Sequence, residues 1–142
     1  MRLSSSYTPQ AVVNGTREFV GSNRAALYSA IERASDRKPV DLALTVRREN
    51  NSLIATIRGT APAGDDLMIA VTEDNITTKI QHGENAGRTL TNDAIVRRLV
   101  RAERGETRVS IDPAWQKLAV AAFFQNRNTL AVAGCVRVQV NQ

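Results

Sequence analysis

The chain has 142 residues, of which 42% are apolar, 23% charged and 4% aromatic. This composition excludes a disordered tail and a collagen-like fibre, and a chain of this length buries roughly 68% of its unfolded surface without a metal or disulfide scaffold. Nineteen Lys+Arg against 14 Asp+Glu give a formal charge of +5, but clustering decides nucleic-acid or membrane binding more than the total does.

Residues 1–6, with serines at 4, 5 and 6, run into Tyr7-Thr8-Pro9 without the apolar stretch of about 7–15 residues that a secretory signal needs. No apolar run approaches the roughly 18 residues of a membrane span. Residues 11–13, the Asn14-Gly15 pair and residues 16–20 have the form of a hairpin, because Asn and Gly adopt positive φ cheaply in a type I′ turn. Ser22 is a candidate helix cap, and Leu27, Ala30, Ile31 and Ala34 recur at the helical period up to about Ser35. Pro39 prevents continuation, so a boundary is expected in residues 36–39.

From Val40 the period becomes 2. Val40, Leu42, Leu44 and Val46 alternate with polar or small residues, residues 49–51 turn the chain, and Leu53, Ala55 and Ile57 alternate back. Residues 59–66 form a loop, 67–72 and 76–81 read as strands, and 83–87 as a further loop. Residues 89–103 fit both a helical stripe (Ile95, Val96, Leu99, Val100) and a β-branched strand, and are read as strand. Residues 107–111, 118–125 and 129–140 are strand-like. The fold class expected is α+β: a hairpin with one helix in residues 1–38, then an antiparallel β-sandwich-like domain in residues 39–142.

The segments Tyr7-Thr8-Pro9-Gln10-Ala11-Val12-Val13-Asn14-Gly15 and Arg17-Glu18-Phe19-Val20-Gly21-Ser22-Asn23-Arg24-Ala25-Ala26-Leu27 resemble the second half of a bacterial secreted thioredoxin-like family, domain of unknown function 1223. The run Gly83-Glu84-Asn85-Ala86-Gly87-Arg88-Thr89-Leu90, followed by Ile95-Val96-Arg97, resembles the C-terminal portion of the same family. The resemblance implies that residues 1–38 are the closing part of a thioredoxin-like unit and residues 39–142 an accessory β-rich domain. It implies a cis peptide before Pro9, with Tyr7, Thr8 and Pro9 as substrate-loop residues, and full-length relatives that are exported or periplasmic. Family members carry an upstream Cys-x-x-Cys that this chain does not reach. Dithiol exchange needs an activated thiolate and a resolving thiol, so the chain by itself is expected to be incompetent for it.

One cysteine, Cys135, and one histidine, His82, exclude an internal disulfide, a dithiol and a Cys- or His-rich metal cage, so no metal, cofactor or catalytic residue is expected. Cys135 lies in an apolar run and reads as a core residue. Glu84, Asn85 and Arg88 are candidates for a small anion or partner loop, although it lacks the phosphate-loop ending. His82 and Glu84 are too commonly spaced to mark acid–base chemistry. Arg97, Arg98, Arg101, Arg104 and Arg108 are the densest basic run, with no interleaved aromatics to stack bases, which argues against nucleic acid. Trp115, Phe123 and Phe124 read as packing residues. By the same resemblance, the strand that flanks residues 11–13 in the family is expected to be missing here, so a protein or peptide partner, or a second copy, is expected to add at that edge.

Overall fold

The computed structural model describes residues 9–141. β1 (Gln10–Val13) and β2 (Arg17–Val20) form the expected hairpin. Its turn has φ of 47° at Asn14 and 72° at Gly15, closed by the Thr16 N–H donating to the Val13 carbonyl at 3.2 Å. α1 (Arg24–Ser35) follows. Its cap is Asn23, one residue after the expected Ser22, and the Asn23 Oδ1 accepts from the Ala26 N–H at 3.1 Å. Of the apolar helix stripe only Ala30 is buried, and Ile31 is 49% exposed. The helix packs on the two hairpin strands, which are too narrow to cover a whole apolar stripe.

Residues 42–139 build two sheets face to face. One has the order β11 (Val132–Gln139), β10 (Leu118–Asn126), β5 (Asp65–Glu73), β8 (Ile95–Ala102); the other has β3 (Leu42–Glu49), β4 (Ser52–Gly59), β9 (Gly105–Ser110). All pairings are antiparallel. A third pair, β6 (Ile76–Lys79) and β7 (Thr89–Asn92), extends the β5–β8 pair as a two-stranded ribbon. The period-2 runs bury alternate residues between the sheets: Leu44, Leu53, Ala55 and Ile57 from one side meet Ile69, Val71, Val120, Ala122 and Phe124 from the other. Phe124, 1% exposed, is the bulkiest of the fully buried side chains. Removing such a ring costs about 3–5 kcal/mol in a core of this kind. The architecture is thus α+β, mostly antiparallel sheet with one short helix.

The 89–103 segment is strand, as read, but in two pieces. Asp93 and Ala94 interrupt it opposite Asp74 and Asn75, and both Asn75 and Ala94 take positive φ, 62° and 55°. The two interruptions brace each other: the Asn75 N–H donates to the Asp93 Oδ1 and the Ala94 N–H to the Asp74 Oδ1, each at 2.8 Å. Two carboxylates thereby replace the ladder bonds lost where the ribbon leaves the sheet.

The helix and hairpin join the rest through few groups. Asn14 C=O accepts from the Val132 N–H at 3.1 Å, and the Val40 N–H donates to the Ala133 carbonyl at 2.9 Å. Gly15 and Gly134 permit these approaches. A methyl group at Gly15 would lie 1.9 Å from the Leu130 oxygen, and one at Gly134 would lie 2.4 Å from the Val40 oxygen.

Candidate functional site

Residues expected to carry function fall into separate places. Tyr7 and Thr8 lie outside the described residues. Pro9 is exposed and opens the hairpin, its carbonyl accepting from the Gly21 N–H at 2.8 Å. Glu84, Asn85 and Arg88 are exposed at the tip of the β6–β7 ribbon with His82. The N–H groups of Ala86, Gly87 and Arg88 are spent inside this loop, on Gly83, Ile80 and Asn85 carbonyls at 2.9–3.1 Å. These three amides therefore close the turn and are not offered to an anion.

Cys135 corrects another expectation. It is exposed, not a core residue, because β11 is an edge strand and position 135 points to the outer face, between buried Gly134 and half-buried Val136. Partial burial pushes its thiol above the ordinary cysteine value. It shares a cleft of about 550 Å³ with Arg37, Lys38, Asn126 and Thr129, between the end of α1 and the β10–β11 turn.

The basic run is spread along β8 and β9, and most of it is engaged. Arg97 pairs with Glu73 at 2.8 Å, Arg101 with Asp66 at 2.7 Å and Arg108 with Glu49 at 2.8 Å. Arg98 lies over the Trp115 ring at 5.7 Å. Trp115 and Phe124 are packing residues, as read, and Phe123 is half-buried on the outer face. Glu49 and Glu106 are held below the usual carboxylate range, Glu49 first by Arg108 and then Arg47, Glu106 by Arg47. This network lies on the outer face of the three-stranded sheet, where Ile54 pairs with Arg47 and Arg108 and is only 3% exposed. The arginine stems there serve as cover for an apolar side chain.

Two features remain after those assignments. The first is the outer edge of β1. The Pro9–Gly21 bond sets the ladder's alternation, so Ala11–Phe19 and Val13–Arg17 are hydrogen-bonded pairs and the backbone groups of Gln10 and Val12 point away from β2. Val12 is 51% and Val20 47% exposed on the hairpin face formed by Gln10, Val12, Glu18 and Val20. The second is a crevice of about 250 Å³ between the hairpin turn and the last turns of α1, lined by Arg17, Arg33 and Arg37 among others. The crevice leaves no local signal in the sequence, because residues 17, 33 and 37 are far apart in the chain and form no run. Among the described residues no group of three His, Cys, Asp or Glu side chains could hold a metal ion. No described helix is long and apolar enough to cross a membrane.

A crystal structure of protein AGR_C_4864 from Agrobacterium tumefaciens is similar to this chain, with a TM-score of 0.62 at 16% sequence identity, covering 97% of this chain and 64% of that one. At this identity the likeness is one of fold, and the chain spans less than two thirds of that protein's length. A search of curated proteins finds no match. The sequence profile of a family described as protein of unknown function, DUF1223, matches residues 1–133, and the chain belongs to that family.

Proposed function

We propose that this protein works by binding an extended polypeptide segment, with residues 1–38 as the closing part of a thioredoxin-like unit and residues 39–142 as an accessory β-rich domain. The observation that carries the reading is the outward-facing edge of β1. By the ladder's alternation the Val12 N–H and C=O point away from β2, and no described residue outside the ladder bonds to them; the exposed side chains of Val12 and Val20 lie on one face beside that edge. An edge with unmet donors and acceptors and apolar contacts on one face is the arrangement on which a strand adds. Tyr7, Thr8 and Pro9, which precede β1 in the sequence, are the proposed substrate-loop residues. With one cysteine in the sequence, disulfide exchange would need a second sulfur from elsewhere, so the reading assigns docking to this chain and no dithiol chemistry of its own.

The experiment is light scattering across a concentration series, with amide exchange followed over residues 10–13. Self-association is expected, with added protection at Val12. Val12→Pro removes the outward N–H at an edge position where proline is tolerated, and is expected to abolish the association. A monodisperse monomer whose Val12 amide is already protected overturns the reading.

A further inference from the structure

We infer that the crevice between the β1–β2 turn and the end of α1 binds a small molecule bearing a phosphate-type oxyanion. It is lined by apolar Val13, Ala30 and Ala34 together with Arg17, Arg33 and Arg37. The crevice shares Asn14, Ala34 and Arg37 with the 550 Å³ cleft beside it, which adds Lys38. An apolar lining with a few polar groups is the usual composition of a ligand site.

The distribution of ion pairs sets this crevice apart. The salt bridges among the described residues use Arg47, Arg97, Arg101, Arg108, Arg127 and Arg137, all outside the helix and hairpin. No described carboxylate lies within ion-pair distance of Arg17, Arg33 or Arg37. Asp36 is the one acidic residue in the lining, against three arginines. Arg33 donates to the Ser29 Oγ at 2.6 Å, one helical turn earlier, which leaves its other guanidinium N–H groups for a ligand. Guanidinium forks match the oxygens of phosphate and carboxylate in pairs. Three of them around one small cavity fit a dianion with three terminal oxygens better than a two-oxygen carboxylate. The C-terminal carbonyls of α1 repel an anion, and Arg33 and Arg37 offset that repulsion. The site is separate from the outer edge of β1, so either can fail without the other.

The test titrates inorganic phosphate, pyrophosphate and succinate into the full chain at ionic strength held constant with sodium chloride, following amide shifts by NMR. Saturable shifts confined to residues 13–17 and 30–38 are expected, with both phosphates binding more tightly than succinate. Arg17→Gln and Arg33→Gln should each weaken phosphate binding by about 10-fold, and Arg17→Lys by less. Arg58→Gln, outside the crevice, should leave it unchanged. Circular dichroism of each variant separates lost binding from lost folding. Equal or tighter binding of succinate overturns the phosphate assignment. Shifts that spread over the surface, or that persist in folded Arg17→Gln and Arg33→Gln, overturn the site.

Discussion

The Arg97 Nε donates to the Glu73 Oε2 at 2.8 Å, where β8 meets the end of β5, and the Glu73 side chain is 6% exposed against 33% for Arg97. The other Glu73 oxygen accepts the Gln116 N–H at 2.6 Å, and Arg97 also lies over the Trp115 ring at 5.8 Å. One buried carboxylate therefore ties together β5, β8 and the connection that leads into β10. Arg97→Ala leaves that carboxylate buried with a single backbone donor, and is expected to cost about 2–3 kcal/mol. Glu73→Gln keeps the acceptor for Gln116 and should cost less. Urea denaturation of the two variants checks the order.

Gly134 is required by the path of residue 40, not by its own backbone angle. A side chain there meets the Val40 carbonyl and breaks the approach that lets the Val40 N–H reach the Ala133 carbonyl. Gly134→Ala is expected to lower stability by about 1–3 kcal/mol. Gly83 has open space around it and a φ of 84°, so Gly83→Ala should cost only the backbone strain, about 1 kcal/mol. Thermal midpoints of the two variants distinguish collision from strain.

The joint between sheet and ribbon should be acid-sensitive. The Ala94 N–H, and after it the Arg137 guanidinium, hold the Asp74 carboxyl below the usual aspartate range, with burial working the other way. A folded-state value below the unfolded one stabilises at pH above the unfolded value and is lost as pH falls through the folded one. The Ala94 amide shift should therefore be constant above about pH 4 and titrate below it. Asp74→Asn keeps an acceptor and should remove that titration.

Cys135 should behave as a sluggish thiol at neutral pH. Its raised value leaves less thiolate at neutral pH than a free cysteine has. Alkylation by iodoacetamide at pH 7 should be slower than that of a free cysteine, with the difference closing as pH rises above the ordinary thiol value. Cys135→Ser should change stability by less than about 1 kcal/mol, since the side chain is exposed.

The hairpin at Asn14-Gly15, the helix that ends before Pro39 and the alternating strands from Leu42 onward were legible in the chain, because turn residues and period-2 burial are local properties. The break at Asp93 and Ala94 was not. It depends on carboxylates from two strands exchanging bonds across 18 and 20 residues of chain. Cys135 misled for a related reason: an apolar run such as 130–136 does not say which strand will be an edge, and edge position is set by pairing order.

Local spacing determined one helix and a set of alternating strands, and these 142 residues hold a single cysteine. Only the tertiary structure decided which arginines are paired and which are not. Arg97, Arg101 and Arg108 are neighbours in sequence yet neutralised from distant strands, while Arg17, Arg33 and Arg37 are scattered in sequence yet brought around one crevice. Charge acts through space, and the distances that matter are fixed by the hairpin folding back on the helix.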